Sequence, residues 1–167
     1  ADVMKPKDCE RIVEKTIGSY GKIDILVINA GGVRGGVNFE DTTYQDWLGS
    51  LDLNLMSAVR LSRLVLPGMK ERKWGRIINI SGLAARQSGT AIGSMRNVAV
   101  AALTKNLADE LGPFGINVTV VHPGFTWTER MPALIEQRAI KQGFSVDEAT
   151  NEAAQGNSVR RMIDASD

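Results

Sequence analysis

The sequence has few of the residues that would tie it to a metal, a redox pair or a membrane. It contains one cysteine, Cys9, and one histidine, His122, so neither an internal disulfide nor a cluster of metal ligands is expected. Its apolar runs are all shorter than the ~20 residues that cross a bilayer, and residues 1–10 include no signal-peptide stretch. These absences predict no metal site, no membrane segment and a cytoplasmic location.

An excess of charge of one sign is also missing, and aromatic residues are scarce at 5%. The 20 basic and 19 acidic residues leave a net charge of +1, which gives no long-range field to attract a nucleic acid. No basic run is interleaved with aromatic residues. The hydrophobic fraction of 43% is ordinary for a soluble globular protein, and 167 residues suffice for a core. We therefore expect a single domain over residues 1–167 that does not bind nucleic acid.

Apolar runs that predict strands recur along the chain. The runs at residues 23–28, 75–82 and 116–121 are nearly continuous, which is typical of strands covered on both faces. Residues 2–4 are expected to be the end of a further strand, whereas the polar tail at 156–167 predicts none.

Helical patterns separate these strands. Pro6 suits the first turn of a helix, and Gly18 with Gly21 is expected to end that helix. A long helical region is predicted at about 42–73, with a break at Pro67. Further helices are predicted at about 94–111, near 132–142 and near 146–154.

This alternation of strands and helices predicts a three-layer α/β fold with a parallel sheet and right-handed crossovers. In such sheets ligands bind beyond the carboxyl ends of the strands. The three strand patterns end in small or polar residues, namely Asn29-Ala30-Gly31-Gly32, Ser81-Gly82 and His122-Pro123-Gly124. We expect these endings to converge on one ligand site.

The order of the motifs closely resembles that of the short-chain dehydrogenase/reductase family. The matching segments, within residues 1 to about 135, are Gly21-Lys22-Ile23-Asp24 to Asn29-Ala30-Gly31, Leu53-Asn54-Leu55, Gly75-Arg76-Ile77-Ile78-Asn79-Ile80-Ser81, Leu103 to Leu111, Gly115-Ile116-Asn117-Val118, and Pro123-Gly124 with Thr128. The resemblance implies a doubly wound, Rossmann-like sheet. It also implies NAD or NADP as cofactor, and hydride exchange with a small-molecule alcohol or carbonyl substrate.

The resemblance also implies which residues contact the cofactor. Asp2 and Val3 match the positions beside the adenine. Asn29, Ala30 and Gly31 match the segment that lines the cofactor. Pro123, Gly124 and Thr128 match the positions at its nicotinamide end. The variable region at about 125–155 matches the helical substrate loop of the family.

The ends of the chain depart from the family. The chain begins where the family's third strand should end, so the Thr-Gly-x-x-x-Gly-x-Gly loop that grips the pyrophosphate is missing. The residue that selects NAD or NADP is missing with it. The glycines at 31–36 lack the spacing of that loop and are interpreted as a flexible loop over the site. We expect a Rossmann-like domain that is incomplete at its N-terminal βαβ unit and at its last strand, which is missing after Asp167.

The catalytic positions depart from the family as well. Its Tyr-x-x-x-Lys pair falls on Gly93 and Asn97, which supply neither a proton donor nor a cation. The family's serine position holds Gly82, and the nearest hydroxyl, Ser81, either acts in catalysis or turns the strand end. Asn54 matches a helix asparagine that helps to organise a proton relay in the family.

Other polar residues lie close to this region in the sequence. Ser94, Arg86 and Arg96 are candidates to replace the missing pair, but Arg96 is interpreted as a surface charge at the start of a helix. His122 is interpreted as structural or exposed, because no carboxylate partner is visible near it. Trp127 packs either on a ligand or in the core.

Three hypotheses about function follow. The first is an NAD(P)-dependent oxidoreductase with a degenerate catalytic site. The alternative is a non-catalytic dinucleotide-binding or scaffold protein that keeps the fold, because fold alone does not decide function. The third hypothesis is that the sequence is an incomplete version of an active enzyme that uses another acid. By resemblance, we also expect a homodimer or homotetramer formed through the helices near 42–73 and 93–111.

Overall fold

A computed structural model describes residues 1–32, 38–124, 126–129, 131–157, 159–164 and 166–167. These residues form two compact units, Ala1–His122 and Pro123–Asp167. Each unit has its own cluster of buried apolar side chains. The expectation of a single domain over residues 1–167 stays a prediction.

The first unit alternates helices and strands. Its elements are α1 (Pro6–Tyr20), β1 (Ile25–Ile28), α2 (Tyr44–Leu51), a π-helical turn (Asp52–Met56), α3 (Ser57–Arg72), β2 (Gly75–Ile80), α4 (Ala91–Leu111) and β3 (Ile116–Val121). Short 3-10 turns lie at Phe39–Asp41, Leu83–Ala85 and Gly112–Phe114. The three strands form a parallel sheet in the order β1-β2-β3. The predicted α/β fold with a parallel sheet is confirmed.

The core of this unit lies on one face of the sheet. Side chains in a strand point alternately to the two faces, and Ile28, Ile77 and Val118 share the buried one. They pack with buried residues of the helices, among them Val65 and Met69 of α3. Helices α1, α3 and α4 therefore cover this face.

The opposite face of the sheet is exposed in the part of the fold that the described residues form, so coverage of the strands on both faces stays a prediction. Ile25 and Val27 of β1 are 56% and 54% exposed, and Val121 of β3 is 46% exposed. Asn117 and Thr119 are exposed on the same face.

Residues 2–4 form a turn, so the expectation of a strand end there is wrong. The Asp2 carboxylate accepts the backbone N–H of Met4 at 2.9 Å, and the Asp2 carbonyl accepts the N–H of Lys5 at 3.0 Å. A short acidic side chain that bonds its own backbone competes with strand pairing. Helix α1 then runs past Gly18 and ends at Gly21, which adopts a left-handed conformation with φ 78°.

Pro67 does not interrupt the long helical region, so that expectation is also wrong. It lies inside α3, which continues to Arg72 because its apolar side stays buried through Val65 and Met69. The irregular point is instead the π-helical turn at Asp52–Met56. Such turns insert an extra residue and are frequent at functional sites.

The second unit is a small helical assembly with a two-stranded sheet. It contains β4 (Thr126–Trp127), α5 (Met131–Gln142), α6 (Val146–Gln155) and β5 (Ile163–Asp164). Helices α5 and α6 bury Met131, Ile135, Ala139, Ala149 and Ala153. The tail was expected to have no strand, but β5 pairs in parallel with β4. A strand of two residues gives too short a pattern for sequence periodicity to detect.

Candidate functional site

The first unit contains a cavity of about 160 Å³ beyond the carboxyl ends of β1 and β2. Five of the residues that the sequence assigned to a ligand site line it, namely Asn29, Ala30, Gly31, Asn54 and Ser81. Parallel strands end at the same edge of a sheet, which is why distant segments of the chain meet there. The structure therefore brings two of the three predicted strand endings together, Asn29–Gly32 and Ser81, while His122-Pro123-Gly124 is not among the described lining residues.

Asn54 fixes the glycine segment to the π-helical turn. Its Oδ1 accepts the backbone N–H of Gly32 at 3.0 Å, and its Nδ2 donates to the Gly32 carbonyl at 3.1 Å. The same Nδ2 donates to the Ser50 carbonyl at 2.8 Å. A side-chain amide thus pairs with Gly32 as a neighbouring strand would. The π-helical turn places Asn54 for this contact.

Gly31 is required by this contact. A Cβ on Gly31 would lie 2.6 Å from Oδ1 of Asn54, which is closer than real Cβ atoms come to an oxygen. The Asn54 side chain has little room to give, because its hydrogen bonds to Gly32 and Ser50 hold it. Any larger residue at position 31 would therefore separate the glycine segment from Asn54.

Ser81 faces Asn97, the residue at the family's lysine position. The Ser81 hydroxyl lies 3.1 Å from the Asn97 carbonyl and 3.3 Å from its Oδ1, and it has one proton to donate to them. Both acceptors belong to α4, so the proton points to the helix and the lone pairs remain for a ligand. Asn97 is buried, with 8% of its surface exposed, and lines the cavity.

Gly93 and Gly82 occupy the positions where the family has its tyrosine and serine. Gly93 is buried at the start of α4, and Thr90 caps the helix by accepting its N–H at 3.1 Å. A Cβ on Gly93 would lie 2.7 Å from the Thr90 hydroxyl oxygen. At Gly82 a Cβ would come within 3.3 Å of Nδ2 of Asn97. Both glycines are packed tightly against their neighbours.

Arg96 was interpreted as a surface charge, and that interpretation is wrong. It is half-buried, lines the cavity, and donates from Nη1 to the Gly32 carbonyl and, at 2.9 Å, to Oδ1 of Asn54. Its Nε is buried without a hydrogen-bond partner. Burial lowers the pKa of the guanidinium below its usual value. Sequence spacing missed this role because it placed only positions 93 and 97 towards the site.

Asn79 supplies the other incompletely bonded atom in the cavity wall. Its Nδ2 donates to the Thr104 hydroxyl at 2.9 Å, while its Oδ1 has no donor. Asn79 is 1% exposed, so a buried water or a ligand must satisfy this oxygen. No other ionisable side chain among the described residues joins Arg96 in lining the cavity.

Asp2 and Val3, assigned to the adenine side, are not among the described residues that line the cavity. The Asp2 N–H donates to the Asp8 carboxylate at 2.8 Å, and the Val3 carbonyl accepts from Arg60 at 3.3 Å. These contacts attach the start of the chain to α1 and α3, and the roles of Asp2 and Val3 towards a cofactor stay predictions. So do those of the exposed residues of the second unit, Pro123, Gly124 and Thr128.

The remaining candidates contribute little to the cavity. His122 is half-buried with Nδ1 3.1 Å from the Gly82 carbonyl, which agrees with a structural role. Arg86 and Ser94 are not among its described lining residues. Trp127, in the second unit, is 38% exposed. The interpretation of the glycines at 31–36 as a loop falls largely on residues 33–37, which lie outside the described residues.

Metal and membrane features were sought across the same residues. The described part of the chain has no group of histidine, cysteine, aspartate and glutamate side chains arranged to hold a metal ion. Of the helices that the structure describes, none is long and apolar enough to cross a membrane.

Comparison with known proteins gives consistent results. The sequence model of the short chain dehydrogenase family matches residues 1–139. The chain is 34% identical over 155 residues to a D-beta-hydroxybutyrate dehydrogenase of Cupriavidus necator, covering 91% of this chain and 59% of that protein. It is 32% identical over 139 residues to a 3-oxoacyl-acyl-carrier-protein reductase of Vibrio cholerae, covering 82% and 57%. The chain thus spans less than two thirds of the length of these curated relatives.

Solved structures show the same likeness in three dimensions. An actinorhodin polyketide ketoreductase with NADPH superimposes with a TM-score of 0.86 at 30% identity, over 98% of this chain and 64% of that one. An NAD⁺-bound xylitol dehydrogenase gives a TM-score of 0.86 at 25% identity, over 98% and 66%. The Rossmann-like fold expected from the sequence is confirmed, and relative to these proteins it is incomplete.

Proposed function

Because the chain belongs to the short-chain dehydrogenase/reductase family, we propose that its protein transfers a hydride between NAD or NADP and a small alcohol or carbonyl substrate. The observation that carries this proposal is the convergence of Asn29–Gly32, Asn54 and Ser81 on one cavity at the carboxyl edge of the sheet. The ketoreductase and the xylitol dehydrogenase named above hold NADPH and NAD⁺, which supports either cofactor.

The residues present fit one end of such a cofactor. A cavity of about 160 Å³ is smaller than the ~300–1,000 Å³ of typical ligand pockets, so it takes a ring or a small substrate and not a whole dinucleotide. The side-chain-free surface of Gly31 and Gly32 lets a flat group approach the backbone closely. We propose that Asn29, Ala30 and Gly31 line the cofactor, that Pro123, Gly124 and Thr128 hold its nicotinamide end, and that Asp2 and Val3 lie beside its adenine. When bound, the cofactor supplies or accepts the hydride.

The residues around the cavity position a substrate but provide no acid to protonate it. Neither Gly93 nor Asn97 carries an acidic proton, and the proton of the Ser81 hydroxyl is directed to Asn97. A positioned general acid contributes ~10²–10⁴ in rate. We therefore propose a degenerate catalytic site in which water supplies the proton, and slow turnover.

The second candidate function is a dinucleotide-binding or scaffold protein without turnover. It is favoured by one observation: among the described residues, the cavity lining contains no tyrosine, lysine, histidine or carboxylate. Under this alternative the glycine segment and Asn54 would still hold the cofactor, because their hydrogen bonds do not depend on the missing pair.

Transfer of deuterium distinguishes the two. The protein at its natural length is incubated with NADH or NADPH deuterated at the transferred position and with a panel of aldehydes and ketones. The oxidoreductase proposal expects deuterium on the product carbon, at a rate well below that of an enzyme with the tyrosine. Cofactor binding with no label in any product would favour the non-catalytic alternative.

We also propose that two or four copies associate through α2–α3 and α4 and that the protein is cytoplasmic. The proposal of association rests on the family to which the chain belongs. Sedimentation of the natural-length protein would test it, and a monomer at micromolar concentration would contradict it.

A further inference from the structure

Arg96 places a positive charge in the cavity without a negative partner. None of the ion pairs formed by the described residues includes it. Its contacts are the neutral oxygens of Gly32 and Asn54. A charge taken out of water without a counter-ion costs several kcal/mol, so the site gains from any anion that reaches it.

The guanidinium has a free position for such an anion. Nη1 is occupied by Gly32 and Asn54, and Nε is sealed from solvent. Nη2 makes no hydrogen bond to any described residue and is not among the sealed atoms. A carboxylate at Nη2 would form a charge-assisted hydrogen bond, roughly twice as strong as a neutral one.

We propose that the cavity binds the carboxylate group of a small organic acid through Arg96, so that the substrate of the proposed reaction is a hydroxy or oxo acid. The substrate assignment rests on the proposed function, while the binding of the acid does not. The unpartnered Oδ1 of Asn79 repels an anion and so directs the acid group to the Arg96 end of the cavity.

A monocarboxylate fits the cavity better than a phosphate does. The described lining carries one cation, which balances one negative charge, whereas a phosphate group brings ≈ −1.5 to −2 at neutral pH. A volume of about 160 Å³ also restricts the ligand to a few heavy atoms beside the acid group. The ligand class is therefore a short-chain acid.

The test is an NMR titration of the 167-residue chain, without cofactor, using butyrate, its neutral analogue butyramide, and inorganic phosphate. We expect butyrate to bind about tenfold or more tightly than butyramide, as expected for a hydrogen bond between charged groups. Shifts should centre on the Gly32 amide and the Arg96 side chain. Equal affinity for butyrate and butyramide, or tighter binding of phosphate than of butyrate, would overturn the proposal.

Variants locate the effect. Arg96→Gln should abolish the preference for butyrate, while Lys105→Gln, which removes an exposed charge from the same helix, should retain it. If Arg96→Gln does not fold, the natural sequence decides: shifts of the Arg96 side-chain signals on addition of butyrate support the assignment, and unchanged signals overturn it. A butyrate preference that survives in folded Arg96→Gln would sink the assignment. Failure of hydride transfer with the preference intact would count against the proposed function alone.

Discussion

The two walls of the cavity differ in how far they follow the family. One wall is made by Asn29–Gly32 and Asn54, where the side-chain amide holds both polar groups of the Gly32 peptide. The other is made by Ser81 with Arg96 and Asn97 of α4, and Asn97 stands at the position of the family's cation. We propose that the first wall keeps the framework for a cofactor and that the second lacks the acid.

The second wall is not simply a damaged copy of the family's. Thr90 caps α4 through the N–H of Gly93, and Asn97 receives the Ser81 hydroxyl. Arg96 crosses the cavity to the first wall and bonds to Asn54. The contact between Arg96 and Asn54 connects the two walls directly.

The largest expected effect comes from restoring the missing pair. Gly93→Tyr with Asn97→Lys in the natural-length protein should raise the rate of carbonyl reduction by ~10²–10⁴, the usual contribution of a positioned acid. The double variant should also lose the Thr90 cap, at about 0.5–2 kcal/mol, because a Cβ at position 93 would displace the Thr90 hydroxyl. Steady-state kinetics and urea unfolding measure the two effects.

The matched control replaces Tyr by Phe at position 93 and keeps Asn97→Lys. Phenylalanine has nearly the same size as tyrosine but lacks the hydroxyl, so the rate of carbonyl reduction should stay near that of the natural sequence. No gain in rate for the tyrosine variant on a broad aldehyde and ketone panel would speak against a degenerate site.

The second effect tests the first wall. Gly31→Ala should lower the free energy of unfolding by about 1–3 kcal/mol, because the added methyl overlaps Oδ1 of Asn54, which lies 2.6 Å from the Cβ position. Gly18→Ala is the control. It lies inside α1 with open space around it and should raise the free energy of unfolding by about 0.5–1 kcal/mol. Equal responses would show that the contact with Asn54 does not constrain position 31.

Much of this framework could be predicted from the sequence, because strands and their polar endings have short-range patterns. The runs before Asn29, Ser81 and His122 were placed within a few residues, and their endings were expected to meet. What could not be predicted was the reach of Arg96. A long, flexible side chain contacts residues far along the chain, and helical spacing describes only where the side chain leaves the backbone.

The π-helical turn was missed for a different reason. A π-helical turn leaves the apolar pattern readable and changes only the phase of the residues after it, so no single residue indicates it.

The smallest expected effect is that of Ser81→Ala, which tests whether Ser81 acts in catalysis or only stabilises the strand end. Ser81→Ala removes the hydroxyl that donates to Asn97 and should lower the free energy of unfolding by about 0.5–1.5 kcal/mol. Because that proton is already used, hydride transfer should fall less than about tenfold. Ser88→Ala, at an exposed position, should change neither quantity. A loss in rate of a hundredfold or more would identify Ser81 as the proton donor and would show that the second wall does contain an acid.

The pH dependence of carbonyl reduction tests the central claim most directly, namely that the cavity keeps its cofactor wall and lacks an acid. The only ionisable side chain among the described lining residues is Arg96, and it stays charged over the working range. The account predicts that kcat/KM of the natural-length protein varies less than about threefold between about pH 6 and about pH 9. A rate that falls tenfold per pH unit above an apparent pKa within that range would reveal a proton donor and contradict the account.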